Sequence, residues 1–183
     1  MIDKAISKII KSRRTTYPKD FNGARIKKEV IEAILENANQ APSHRMTQPW
    51  FFKIFTNGKK NDLANAIIKL SINSGDPFKK KLFENFEKTS HIIVICLKRH
   101  EGIVPEWEEI AATSMSVQNI WLSIVNSKIG GYWSTPKYLN NLNQYLKLKK
   151  NERCLGFFYL GLVDSFKVRN ISRTNVGEKT SWK

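Results

Sequence analysis

Residues 41–50, Ala-Pro-Ser-His-Arg-Met-Thr-Gln-Pro-Trp, place two hydroxyls, an imidazole, a guanidinium and a carboxamide between two prolines. Pro42 and Pro49 fix the backbone and remove two amide donors, so a helix cannot run through the stretch. Loops that set so many hydrogen-bonding groups beside an aromatic run are often sites. The alternative is a capped polar connector. A second set of groups is Arg13-Arg14-Thr15-Thr16. A guanidinium offers a planar donor fork that matches phosphate oxygens, and Thr15 adds a hydroxyl. The same arginines would equally complement the dipole at a helix C-terminus. His44, His91 and His100 have no Cys or carboxylate at triad-like local spacing, and GxGxxG, Walker and nucleophile-elbow motifs are absent.

The elements that must position these groups follow from periodicity. Ile2, Ala5, Ile6, Ile9 and Ile10 share one helical face over residues 2–12, with Lys4, Lys8 and Lys11 opposite. A second helix is expected over 27–39, its buried stripe being Val30, Ile31, Ile34, Leu35 and Ala38. The loop 41–50 then leads into a strand at 51–55, closed by Asn57-Gly58. A third helix is expected over 59–73, broken by Ser74-Gly75-Asp76-Pro77, and a mobile, basic helix over 78–88. Ile92 to Leu97 has the continuous apolar character of a central strand. Pro105 opens the longest helix, about 106–127, with Trp107, Ile110, Ala111, Ser114, Val117, Trp121 and Ile124 recurring at three and four residues. Gly130-Gly131 ends that region and Tyr132-Trp133 starts a short strand. Ser134-Thr135-Pro136 reads as the cap of a further helix over 137–147. The last clear strand is 154–161, followed by a polar stretch, 164–183, with no buried stripe.

Four pieces match a known family in order. The APSxxxxQPW stretch after a helix, the arginine pair near the N-terminus, Gly130-Gly131-Tyr132-Trp133 and the GFFYLG run at 156–161 together resemble the FMN-dependent nitroreductases, in their compact branch. The resemblance implies an α+β fold with an antiparallel-rich central sheet flanked by helices, in an intertwined homodimer. It implies FMN as cofactor and NADH or NADPH as reductant, with nitro compounds, quinones or similar electrophiles reduced in a ping-pong cycle. Arg13, Arg14 and Thr15 would meet the phosphate. Pro42, Ser43 and His44 would approach a flavin bound mainly by the other subunit, with Gln48 ordering that loop. Trp133, Ser134 and Thr135 would lie against the ring or its edge. Gln40 stands where some relatives carry a cofactor-contacting Arg. His44 and Arg45 are candidates for a cation near the flavin, and Arg173 for completing the phosphate site. The hard chemistry would be the cofactor's, so no catalytic acid or base is named. The chain departs from many relatives in reading Ser43-His44-Arg45 where they have Ser-x-Asn. It also has Thr16-Tyr17 where they carry a basic residue. The polar segment 164–183 is expected to pack on the partner.

The 183 residues suit one domain, and 41% apolar content is enough for a sizeable core. The longest apolar run falls far short of the ~20 residues that span a bilayer. The first residues lack a secretory pattern, and their likeness to a mitochondrial presequence is set aside because Arg13 and Arg14 belong to the family motif. A cytoplasmic location is the default. Cys96 and Cys154 read as reduced core thiols. Glu106, Glu108 and Glu109 beside His100 suggest a metal site, but consecutive carboxylates on a helix point in different directions. The net charge of +15 raises a nucleic-acid reading. Against it, the cations are 23 Lys and 8 Arg spread along the chain, whereas groove reading favours Arg. A positive surface would also steer an anionic nicotinamide cofactor. A flavin-binding store or sensor without turnover is the further alternative.

Overall fold

The computed structural model describes residues 2–71, 75–167 and 172–183. In chain order the elements are α1 (Lys4–Ser12), α2 (Lys28–Asn39), β1 (Trp50–Thr56), α3 (Gly58–Leu70), α4 (Asp76–Lys88), β2 (His91–Lys98), α5 (Glu106–Ser123), β3 (Ile129–Ser134) and β4 (Glu152–Leu162). The four strands form one antiparallel sheet in the order β1-β2-β4-β3. The expected antiparallel-rich sheet flanked by helices is the one observed.

Strand β2 shows why the sheet is covered on both faces. Successive side chains alternate between faces, and both sets in β2 are apolar. Ile92, Val94 and Cys96 enter a core with Leu63, Ile67, Leu82 and Phe86 of α3 and α4. Ile93 and Ile95 enter a second core with Ile31, Ile34, Val117 and Ile120 of α2 and α5. A strand buried on both faces has no polar alternation to keep, hence the unbroken apolar run. Helices α2 and α5 are further tied by Asn119 Nδ2 donating to Asn37 O (3.0 Å) and Asn37 Nδ2 donating to Ser123 Oγ (3.0 Å).

Several expectations need correction. Gly130 and Gly131 lie inside β3 rather than ending the preceding helix, and α5 stops at Ser123. The expected helix over 137–147 is a 3-10 turn at Leu139–Leu142 followed by hydrogen-bonded turns. Asn140, Asn141 and Asn143 favour local side-chain bonding over helix, yet Leu139, Leu142 and Leu146 still fill the α3 side of the core. Trp107 and Ile110, which share the apolar spacing of α5, are 68% and 38% exposed in the single chain. Val30 is exposed as well. Helix α1 buries none of its residues in this chain, and Asp3 caps it by accepting from Ala5 N and Ile6 N. The last part of the expected third helix and Ser74 of its breaking turn fall outside the described residues. Of the 164–183 segment, the residues described after Asp164 are all exposed, Trp182 at 93%. Among the described residues no helix is long and apolar enough to cross a membrane.

Candidate functional site

The arginine loop is laid flat on the β3–β4 edge by absent side chains. Thr16 N donates to Gly131 O (3.0 Å), and Asn22 N donates to Leu162 O (2.9 Å). A Cβ on Gly130 would lie 2.8 Å from Thr16 Cβ and 2.9 Å from Phe21 Cε1, so only glycine leaves room for the segment. This close approach, rather than a turn, accounts for Gly130. Gly131 O also accepts from Trp121 Nε1 (3.3 Å), which joins α5 to the same point.

Arg13, Arg14 and Thr15 then line a recess of about 220 Å³ together with Asp20, Phe166 and Lys167. The Arg13 guanidinium lies 4.9 Å from the Trp121 ring centroid. Arg14 donates to Lys11 O (2.6 Å) and Arg13 O (3.0 Å), capping α1 as the dipole reading expects. A guanidinium has five donors, so capping does not exhaust it. Partial burial, then the charges of Arg173 and Arg14, push the Arg13 pKa below its ordinary value. That brings Arg173, set apart in the sequence by about 160 positions, into the electrostatic neighbourhood of the arginine pair. The carboxylate in the recess, Asp20, pairs with Lys167.

Next to the recess is a larger cleft of about 470 Å³. Tyr17 lines both, so the two openings adjoin along the chain that follows the arginines. Its walls are aromatic, Tyr17, Tyr132 and Tyr138 among them, and its polar groups include Lys19, Lys81, Asn85 and Ser134. Tyr17 meets Tyr132 edge-on at 4.8 Å between centroids. Burial pushes the Tyr138 hydroxyl up to about 12. Ser134 comes from the end of β3. Trp133, one residue before it, turns to the other face of the sheet, where Nε1 donates to Leu155 O (3.4 Å). Thr135 is exposed and does not line the cleft. Lys81 and Asn85 of α4 were not singled out from sequence, since nothing in a basic helix marks which lysine faces a cleft.

The loop after α2 lies elsewhere. Gln40 ends α2, its N–H donating to Asn37 O (3.2 Å). Pro42 is exposed, and Ser43 Oγ accepts from Gln48 N (3.0 Å), so Gln48 orders the loop through its backbone. His44 Nδ1 is 2.5 Å from Glu108 Oε2. The three carboxylates opening α5 each take a different basic partner: Glu106 with Arg153, Glu108 with His44, and fully buried Glu109 with Arg99 and His100. They diverge as helical geometry requires.

The candidate residues therefore form two groups. Arg13 sits over Trp121 near one end of α5, and His44 is held by Glu108 near the other. Thirteen residues at ~1.5 Å rise separate those ends by about 20 Å. The groups also flank opposite edges of the sheet, β3 and β1, about 14 Å apart at ~4.8 Å per strand.

Comparison with known proteins agrees with this architecture. A protein 29% identical over 163 residues, covering 85% of this chain and 83% of its own length, is YfhC of Bacillus subtilis, whose name assigns it provisionally as an NAD(P)H nitroreductase. A nitroreductase-like family protein of Bacillus cereus superposes with a TM-score of 0.87 at 22% identity, over 100% of this chain and 98% of that one. The FMN-dependent nitroreductase NfnB of Mycobacterium smegmatis, solved with NADPH, superposes with a TM-score of 0.77 at 18% identity, over 98% of each chain. The model of the nitroreductase family matches residues 10–162, a span that runs from the arginine loop to the end of β4, and the chain belongs to that family.

Proposed function

We propose that the chain is an FMN-dependent oxidoreductase that uses NAD(P)H and works as a homodimer, with each flavin held between two subunits. Family membership supports an oxidoreductase, and NfnB is by its name FMN-dependent. The observation that carries the dimer is the separation of the two residue groups along α5. A two-fold axis across α5 would run the helix antiparallel to its copy. The His44 end of one chain would then meet the Arg13 end of the other. The outward face of α5 suits such a contact, since Trp107, Ile110 and Met115 are exposed apolar groups on it. Exposed Ile2, with Ile6 and Ile10 of α1, and the uncovered C-terminal segment would add apolar area.

The residues fit the cofactor. Arg13, Arg14, Thr15 and Arg173 would hold the phosphate, in a recess whose unbalanced positive charge is already felt at Arg13. The ring would enter the adjoining aromatic cleft, with Ser134, Lys81 and Asn85 as polar partners at its edge. Pro42, Ser43 and His44 would come from the second subunit. FMN, when bound, supplies the hydride chemistry, and NAD(P)H and then a nitro compound, quinone or related electrophile would use the same open face in turn. The chain's own part is to bind, orient and exclude water.

The test is the visible spectrum of the purified protein together with its mass in solution. Yellow dimer that releases about one FMN per chain and is bleached by NAD(P)H under anaerobic conditions is the expected result. A monomer that stays colourless after incubation with FMN refutes the proposal. Flavin that binds but is not reduced by either nicotinamide would leave a flavin store instead.

A further inference from the structure

The loop from Ser43 to Gln48 is strained. Arg45, Met46 and Gln48 hold φ of 51°, 53° and 42°, three positive-φ side chains within four positions. Such conformations persist where surrounding structure over-determines them, and they collect at functional sites. Local bonds hold the loop's shape: Ser43 Oγ accepts from Gln48 N, and Thr47 Oγ1 donates to His44 O (3.2 Å). Those bonds are indifferent to where the loop sits on the body. The loop's flanks are seated by Ala41 and Trp50 packing on Ala112, and its own side-chain link to α5 is His44 Nδ1 to Glu108 Oε2, 64 positions away in sequence.

Glu108 projects from a fixed platform. Its neighbours Glu106 and Glu109 tie the start of α5 to Arg153 of β4 and to Arg99 and His100 just after β2. An ionised carboxylate only accepts, so the hydrogen between the two groups belongs to Nδ1. In the neutral ring Nε2 is then a bare acceptor, and the atom that carries it is set by Glu108. The ring is 57% exposed at its side chain, so Nε2 is open to a further partner. An acceptor nitrogen there suits the imide N–H of a flavin ring.

We propose that Glu108 is a positioning residue for the flavin site of the partner subunit: it fixes the Nδ1–H tautomer of His44 and so presents Nε2 as an acceptor to the cofactor. The inference rests on the interface-bound flavin proposed above.

Two measurements on the intact protein test it. The first is long-range ¹H–¹⁵N correlation of the three histidines at about pH 8.5, above the ordinary imidazole value, with His44→Gln assigning the signal. His44 should show a protonated Nδ1 in the parent protein and in Glu108→Gln, whose amide oxygen still accepts. In Glu108→Ala it should shift toward the Nε2–H form. A purely structural anchor would shift the tautomer and leave FMN affinity unchanged. The second is FMN titration of the same variants. Glu108→Ala and His44→Ala should each weaken binding about tenfold or more, as for a lost hydrogen bond in a buried contact, and the double variant should be no weaker than either. An unchanged tautomer in Glu108→Ala, additive losses, or parent-like affinity overturns the positioning role while leaving the flavin site standing. A parent protein that binds no FMN overturns both.

Discussion

Gly161 lies on β4 opposite Gly130 of β3, directly beneath the Phe21 ring. A Cβ at 161 would overlap Phe21 Cγ and Cδ2 and lie 2.8 Å from Phe21 Cβ, where carbon pairs are comfortable only at about 3.5–4.0 Å. Phe21 is 3% exposed, and its backbone cannot retreat: Phe21 N donates to Pro18 O (3.1 Å), and Asn22 N donates to Leu162 O. Gly161→Ala therefore forces a choice. If the ring shifts within the core, overpacking costs about 1–3 kcal/mol. If the ring is expelled, the loss approaches that of deleting a buried Phe, about 3–5 kcal/mol. The expectation between those limits is about 2–4 kcal/mol. For a chain of this length that lowers Tm by roughly 4–16 °C. Thermal melts and urea titrations of Gly161→Ala, Phe21→Ala and the double variant measure it. With the ring gone only the 2.8 Å contact with the Cβ at position 21 remains, so Gly161→Ala should cost less on the Phe21→Ala background than in the parent. A cost below about 0.5 kcal/mol for Gly161→Ala, or additive costs in the double variant, would refute the argument that absent side chains seat the arginine loop.

Arg13→Ala should weaken FMN binding about ten- to a hundredfold, the range for a charge-assisted bond, and Arg173→Ala should weaken it less; fluorescence quenching titrations showing under twofold change for Arg13→Ala would rule the recess out. Burial first, then the charges of Lys60 and Arg25, hold the His91 imidazole below its ordinary pKa. The unfolded chain then takes up the proton first as pH falls. The stability contributed by neutral His91 is full above about pH 6.5 and is lost as pH drops toward the folded-state value. Denaturant unfolding between about pH 7.5 and 5.5 should show a slope of up to ~1.4 kcal/mol per pH unit that His91→Gln lacks; identical slopes would contradict it. At Gly156, φ is +144° and a Cβ would meet Ser134 O and Trp133 Nε1 at 2.5 Å. Gly156→Ala should cost about 2 kcal/mol or more and alter the Trp133 fluorescence, and a native-like spectrum and Tm would refute that contact.

The sheet and its central strand were legible because β2 carries its own two-faced pattern, Ile92, Val94 and Cys96 against Ile93 and Ile95. Helix α2 was placed within one residue of Lys28–Asn39 by its stripe. Residues 137–147 were misread because Pro136 and the leucine spacing imitate a helix, while three asparagines pull the backbone into turns. Gly130 and Gly131 were misread as a stop because sequence shows that a side chain is missing but not what fills its place, here Thr16 and Phe158. The exposure of Trp107 follows from angle: it points opposite the buried Glu109 on the helix, a phase that spacing alone leaves undefined. The arginine loop, the Ser43–His44 loop and Ser134, which the proposal places at the flavin, can all be named from the sequence. The α4 wall of the cleft and the link from His44 to Glu108 depend on contacts between distant segments and became visible only in three dimensions.

Cys96 and Cys154 face each other across β2 and β4, beside the irregularity at Ile95/Cys96, and both are free and buried. Their contact, then burial, pushes the Cys96 thiol up. Neither meets a bulky alkylating reagent while the seam is closed. Modification must wait for β2 and β4 to part, and its rate then counts how often they do. The chain thus carries, at the middle of its sheet, a built-in clock for breathing, one that runs on thiol chemistry and needs no added label.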